Sequence, residues 1–522
     1  MASYPPELSD REGSKLTEAT KDWALAHGLT VRPPPAVIAA DADPHGILAV
    51  PVPVTLFPSP FPKVCFEQGV AVQKAYNELY ASISQDEEFL TQIVKEIGDS
   101  DDFITELWKV HLRVKDESYV QHKSLGLFRS DYMVHQNESD SSAPQIKQVE
   151  FNTIASSFGG LSSQTSQLHK YLASTQYPFL QTPIPKAILT LPPNTSASGL
   201  AAGIQEAFAA YGPSSTQNAK CVIFLVQGGE RNIFDQKHLE YAVQAHDDPI
   251  PVFRLPFSQI SERTHLAPDS KRRELLYTDP TVSPPRVYEV AVVYLRSGYG
   301  PGDYPDASAW DGRYLIERSA AIKCPSVLTQ IAGTKKVQQV LATPDSSSTP
   351  PSSSSSAANS LLRKYMSRSP ESTIAELAST FTNIYPLDTS AAGLRAREIA
   401  TDPELCKRYV LKPQREGGGN NVYRAAIPVF LKSVPEAHWP SYILMELITP
   451  PHVSNTILRN GVLEAGGVIC ELGIYGTCLW DGETGSVLHN AQAGYLLRTK
   501  GDQSEEGGVA AGFGCMDSCA LV

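Results

Sequence analysis

Two strongly apolar runs, CVIFLVQ from Cys221 to Gln227 and RVYEVAVVYLRSGY from Arg286 to Tyr299, enclose a helical segment that begins near Phe234. Strands alternating with helices bury each other's apolar faces, so this order predicts an α/β module of roughly a hundred residues. Ahead of it, from Phe66 to Val114, the apolar residues fall at helical spacing: Tyr76, Leu79, Tyr80 and Ile83, then Leu90, Ile93, Val94 and Ile97, then Phe103, Leu107 and Val110. Ser84 followed by Glu87 has the form of a capping box and predicts that a helix restarts there. Behind it, RYVLKP, SYILMELI and GVICELGIYGTCLW read as strands. A chain of 522 residues that is 42% hydrophobic has room for two or three domains with real cores. The serine and proline tract from Thr343 to Ser360 cannot bury enough apolar surface to offset its ordering entropy, and is expected to be a disordered insertion.

Charge narrows the partners. A net charge of −12 argues against a nucleic-acid or anionic-membrane binder, since phosphate backbones need clustered lysine and arginine. Any anionic ligand has to be captured locally. The eight cysteines are scattered, without the paired spacing of a metal site or the density of a disulfide scaffold, which fits a reducing compartment. Cys515 and Cys519 in the tail are expected to serve packing or to be exposed. The first residues, MASYPPELSDREGSKL, lack the apolar core of a signal peptide, and no run approaches the ~20 apolar residues of a membrane span. A cytoplasmic protein is expected.

Chemistry gathers around VLKPQREGGGNNVY, Val410 to Tyr423. Glycines after a strand let several backbone N–H groups approach phosphate oxygens, because no Cβ stands in the way. The lysine precedes the glycines, so this is neither a P-loop nor a dinucleotide fingerprint. By itself the run fits a mobile surface loop better than a phosphate cradle. Its neighbours shift that balance: Lys412 would end a strand facing the loop, Glu416 offers a hard oxygen of the kind Mg²⁺ prefers, and the apolar YILMELI carries Glu446. That combination suits an adenine slot with a ribose contact. Upstream, in QVEFNTIASSFGGL, Glu150 and Asn152 would point to the same side of an extended strand, two oxygen ligands facing one ion or a polar edge facing solvent.

These stretches occur in order with ERNIFDQ, AGTKKVQQ, ELGIYG and LLRTK followed by EEGGVAAG, over nearly the whole chain. Together they resemble the eukaryotic glutathione synthetases, ligases of the ATP-grasp type. The resemblance implies an α/β (α+β) fold: an ATP-grasp body with a glycine-rich lid and an inserted α/β substrate-binding domain, in a homodimer. The expected division is 1–219 for the helical and N-terminal part of the body, 220–332 for the substrate-binding domain and 333–522 for the nucleotide-binding part and lid. The implied reaction joins γ-glutamylcysteine to glycine with ATP and Mg²⁺ through an acyl phosphate. Such chemistry asks for positioning and charge neutralisation and not for a protein nucleophile, in keeping with the lack of any catalytic triad or elbow motif.

Carried over by motif, the metal ligands are Glu150, Asn152 and Glu416. Lys335 and Lys412 match phosphate lysines, with Gly417, Gly418, Gly419, Asn420, Asn421 and Tyr423 forming the lid. Met445, Glu446, Leu447 and Ile448 match the adenine-holding segment, and Glu471 and Lys500 further nucleotide contacts. Arg129, Ser156, Ser157, Glu230, Asn232, Gln236, Arg296 and Tyr299 match the γ-glutamylcysteine site, where arginine forks suit carboxylates. Arg498, Val509 and Ala510 match the glycine end, and Arg129, Lys412 and Arg498 are the catalytic candidates.

Two departures stand out. The family commonly has serine where this chain has Ala155, and the tract from Thr343 to Ser360 lengthens a connection that is shorter in the family. Two rival readings are a ligase that takes serine or β-alanine as acceptor, and a catalytically inactive nucleotide-binding scaffold. A scaffold would not need to retain Glu150, Asn152, Lys412 and Glu416 together.

Overall fold

The computed structural model describes every residue except 1–3, 36, 137–142, 176, 178–179, 182–183, 185–188, 246–247, 344–359, 417–418, 505–508 and 510–513. The Ser/Pro tract from Thr343 to Ser360, Gly417, Gly418 and Ala510 therefore lie wholly or largely outside the described residues.

The helical periodicity between Phe66 and Val114 resolves into Lys63–Ile83, Glu87–Ile97 and Asp102–Asp116. The restart differs from the expected capping box. Ser84 keeps helical dihedrals and donates its hydroxyl to the Ala81 carbonyl at 2.8 Å, while the Asp86 carboxylate accepts the Phe89 N–H at 3.0 Å. The carboxylate two residues on is the better acceptor for an orphan N–H and carries the charge that a helix N-terminus favours.

Strands Lys220–Val226, Val252–Pro256, Arg286–Leu295 and Ile322–Cys324 pair in parallel, with Ile233–Gln244 as a crossover helix. A single parallel bridge, Lys323 to Ser124, joins them to the long strand Lys123–His135. From there the sheet turns antiparallel through Gln145–Asn152 on one side and Val462–Asp481, then Ser486–Gly501, then Cys515–Asp517, on the other. A separate antiparallel sheet of four strands runs Ile384–Pro386, Ile443–Glu446, Tyr409–Lys412 and Val422–Tyr423, with its own apolar cluster around Leu411, Leu431 and Leu444. All eight cysteines are buried thiols, Cys515 and Cys519 included.

The antiparallel part of the large sheet has two unlike faces. Phe128, Tyr132, Phe151, Leu472 and Ile474 turn to Lys63–Ile83, with Phe151 stacked on Tyr80 at 3.8 Å. Side chains alternate along a strand, so the residues between them, Arg129, Asp131, Glu150, Asn152, Glu471 and Gly473, share the opposite face. Cross-strand register aligns them: Asn152 lies opposite Arg129, Glu150 opposite Asp131, Asp131 opposite Gly473, and Glu471 opposite Arg498.

The junction between the two sheet regions holds a buried charge. Lys323 is 2% exposed and donates to the Ser319 carbonyl at 3.1 Å. Burial pushes its ammonium down to about 8, against the pull of Glu317. A depressed lysine leaves the unfolded chain with more bound protons above the folded value, so stability rises with pH there. From about pH 7.5 to about pH 9.5 the Lys323→Met variant should lack a gain of about 2 kcal/mol that the parent shows in denaturant unfolding. Equal slopes in the two proteins would mean that Lys323 titrates normally.

Candidate active site

The charged sheet face, the four-stranded sheet and the start of helix Lys335–Ala342 enclose a cavity of about 490 Å³. Seven cationic and five carboxylate side chains line it, in a chain whose net charge is −12. Of the sequence candidates, Arg129, Glu150, Asn152, Ser157, Tyr299, Lys335, Lys412, Glu416, Asn420, Asn421, Tyr423, Met445, Glu446, Leu447, Ile448, Glu471, Arg498, Lys500 and Val509 stand on its wall. Ser156, Glu230, Asn232, Gln236, Arg296 and Gly419 do not.

At its centre Lys335 ties together a helix, a strand and the glycine-rich segment. Its Nζ lies 2.8 Å from Glu416 Oε1 and 3.1 Å from Glu150 Oε2. Burial works against the charge of Glu150, yet Lys335, Lys412, Arg498 and Arg129 outweigh it and hold this carboxyl well below the ordinary glutamate range. Glu416 goes the other way: burial and the charge of Glu150 push it up, because Lys335 is its chief opposing cation. Burial also pushes the Lys412 ammonium down, and its Nζ donates to the Val149 carbonyl at 2.9 Å.

One wall is apolar. Met133, Val149, Val410, Met445, Leu447, Ile448 and Ile469 form a slot. At its rim Glu446 accepts from Arg408 and from Asn383, each at 2.7 Å. An aromatic ring system with a polar edge would fit such a slot.

The far end is built by the turn after Asn152. Ala155 and Phe158 both adopt left-handed dihedrals, φ 52° and 72°, an uncommon backbone for residues with a side chain. Asp235 holds this turn at the N-terminus of helix Gly159–Ser174, accepting from the backbone of Phe158 at 2.7 Å, Gly160 at 2.8 Å and Leu161 at 3.2 Å. The Ser157 carbonyl accepts from Tyr475 at 2.6 Å and Arg129 at 3.2 Å, and its hydroxyl from Arg296 at 2.8 Å. Behind it Glu230 accepts from the Asn232 N–H and the Gln236 amide at 2.7 and 2.9 Å, and Gln236 accepts from Arg254 at 2.6 Å. Ser156 Oγ, Asn232 Oδ1 and Arg296 Nη1 are buried without a hydrogen-bond partner in the protein. Three such atoms in one place are costly unless a polar ligand completes them.

Asp131, Asp235 and Tyr475 escaped the sequence reading. Asp131 had a legible signal, two residues after Arg129 on a strand and hence on the same face. Asp235 meets the backbone of the turn, and Tyr475 the Ser157 carbonyl, across gaps of 74 or more positions, which no local pattern reveals.

The glutamates and asparagine suit a hard divalent cation. Glu150 and Glu416 present oxygens that already converge on one positive group. The Asn152 amide nitrogen is engaged by Asp131 at 3.0 Å and the Arg129 carbonyl at 3.2 Å, which turns its oxygen away from those contacts. Two carboxylates and an amide oxygen are the donor chemistry of a Mg²⁺ site. Among the described residues no group of three or more His, Cys, Asp or Glu side chains could hold a metal, so such a site depends on Asn152.

Residues 10–521 match the family model described as eukaryotic glutathione synthase, ATP binding domain. The chain is 38% identical to the glutathione synthetase large chain of Schizosaccharomyces pombe, over 100% of this chain and 99% of the relative. It is 38% identical to the glutathione synthetase of Homo sapiens over 98% of each chain, and 37% identical to that of Bos taurus over 98% and 97%. A solved apo structure of a glutathione synthetase-like effector from Globodera pallida superposes over the full length of both chains with a TM-score of 0.72 at 22% identity, a likeness of fold.

Removing the Asp235 carboxylate strips three buried N–H groups of their acceptor. Asp235→Ala should therefore cost about 2–3 kcal/mol in chemical unfolding. A change within about 0.5 kcal/mol would show that the helix start is satisfied by other means.

Proposed function

This chain belongs to the eukaryotic glutathione synthetase family, and from that premise we propose that its cavity joins γ-glutamylcysteine to glycine at the cost of ATP. It is an ATP-dependent ligase. The observation that carries the residue assignment is the lysine-bridged pair of carboxylates between an apolar slot and the turn after Asn152, behind which Ser156, Asn232 and Arg296 each keep an unpartnered polar atom.

In this reading the adenine occupies the slot of Met445 to Ile448, with Glu446 at the ribose edge. Lys335 and Lys412 hold phosphate oxygens, Lys500 and Glu471 flank the nucleotide, and Asn420, Asn421 and Tyr423 stand over it. Glu150, Asn152 and Glu416 would hold Mg²⁺, which when bound screens the charge on the transferring phosphoryl group. Lys335 would then exchange its two carboxylates for phosphate.

The peptide end takes γ-glutamylcysteine. Glu230, Asn232 and Gln236 suit its ammonium, while Arg296, Ser156, Ser157 and Tyr299 suit its carboxylate and backbone groups. A carboxylate is a poor electrophile. Transfer of the terminal phosphoryl group of ATP to its oxygen makes an acyl phosphate, and the glycine amine attacks that carbon as phosphate leaves. Arg129 and Arg498 neutralise carboxylate and phosphate charge where the new bond forms, which is electrostatic work and needs no protein nucleophile. Val509 lies beside the small acceptor.

The region 220–332 serves as the peptide-binding unit, with 1–219 and 333–522 supplying the body and the nucleotide side. A homodimer in the cytosol completes the proposal, supported by the resemblance and by eight thiols that are buried and unpaired. Among the described residues no helix is long and apolar enough to cross a membrane.

Purified protein supplied with Mg-ATP and γ-glutamylcysteine should release ADP with glycine, and the tripeptide should appear by mass. Preference for serine or β-alanine would move the product and keep the site; no turnover with any acceptor would favour a scaffold. Arg296→Ala should raise the KM for γ-glutamylcysteine about tenfold or more while that for ATP stays within about twofold. Equal effects on both would remove Arg296 from the peptide end.

A further inference from the structure

Asp131 is fully buried in the middle of the charged face and has no ligand role in the scheme above. Its two oxygens grip Arg129 in a fork, Nε at 2.6 Å and Nη2 at 2.8 Å. The second oxygen also accepts from Arg498 Nη2 at 3.0 Å and from Asn152 Nδ2 at 3.0 Å. One carboxylate thus joins three site residues that come from three different strands.

The strand beyond it is shaped for the same contact. Gly473 lies opposite Asp131, and a Cβ there would fall 2.7 Å from Arg129 Cδ and 2.7 Å from Asp131 Oδ1. That glycine has an ordinary negative φ, so space and not backbone freedom explains it. An unclamped arginine samples many rotamers, whereas a planar guanidinium held by two parallel hydrogen bonds has one orientation. Burying a carboxylate is unfavourable without such partners, so the arrangement stands only as a complete set.

We propose that Asp131 is a positioning residue: it fixes Arg129 and Arg498 at the angle at which they meet the carboxylates of the two amino-acid substrates, and Gly473 leaves room for the clamp. This rests on the ligase reading, which places both arginines at the amino-acid end. Asp131 itself touches neither substrate. The nucleotide is held chiefly by Lys335, Lys412 and the apolar slot, and the clamp reaches it only at second hand, through Asn152 and through the Arg498–Glu471 pair, so its affinity depends on the clamp less than that of the other two substrates.

Asp131→Asn keeps the shape, one acceptor oxygen and the buried volume while removing the charge and the fork. KM for γ-glutamylcysteine and for glycine should each rise about tenfold or more, with the KM for ATP rising clearly less, since small misplacements of positioning groups carry large penalties. Calorimetric Kd for γ-glutamylcysteine measured without nucleotide should rise in parallel, while the melting temperature falls, because two arginines lose their buried counter-charge. A lowered melting temperature and kcat with both amino-acid KM values unchanged would make Asp131 a structural ion-pair partner and overturn the proposal. If Asp131→Asn fails to fold, Gly473→Ala tests the same clamp by crowding it with every charge in place: the same split between amino-acid and ATP KM values supports it, and parental KM values overturn it. The parent separates the two readings. No tripeptide from the parent overturns the ligase reading, whereas a normal parent with unchanged variant KM values overturns the clamp alone.

Discussion

A strand shows opposite sides to alternate residues, and four adjacent strands in this protein use that alternation to keep hydrocarbon and charge apart. Phe128, Tyr132 and Phe151 seal one side against the helix Lys63–Ile83, so the sheet is held rigidly from behind. The other side is then free to carry Arg129, Asp131, Glu150, Asn152, Glu471 and Arg498 at fixed spacing. A slip of one residue in any of these strands would turn its charges into the apolar core, so packing on one face enforces register on the other.

The same charges have to be tolerated before any ligand arrives. Ion pairs away from water gain little over well-packed hydrocarbon, and an unpaired member is strongly destabilising. The structure meets this by internal neutralisation: Lys335 lies between Glu150 and Glu416, and Arg498 between Asp131 and Glu471. Under the proposed function, binding of anionic substrates would be an exchange of partners within this set, in which lysine and arginine trade protein carboxylates for phosphates and substrate carboxylates.

Much of this was legible in the chain. Helical spacing from Phe66 to Val114 marked the helices that run from Lys63 to Asp116, and the apolar runs Cys221 to Gln227 and Arg286 to Tyr299 marked the strands Lys220–Val226 and Arg286–Leu295, because each signal is local and long. Glu150 and Asn152 were readable as a same-face pair from period two alone. Ser84 misled because two cap-forming residues compete within three positions and the stronger acceptor, Asp86, takes the role. Asp235 was unreadable because its partners, the N–H groups at the start of Gly159–Ser174, are backbone atoms that carry no residue signature. Asp131 lay between these cases: its face followed from Arg129, but its partner Arg498 is 367 positions away.

Activation of a carboxylate by phosphoryl transfer is the step that the proposed function assigns to Lys335, Lys412, Arg129 and Arg498. It is tested most directly with γ-glutamylcysteine whose reacting carboxylate carries heavy oxygen. One labelled oxygen should appear in the released phosphate for each tripeptide formed, because the oxygen that accepts the phosphoryl group leaves with it. Phosphate free of label, with the heavy oxygen lost from the carboxylate found in water instead, would contradict an acyl phosphate and with it the roles given to Lys335, Lys412, Arg129 and Arg498.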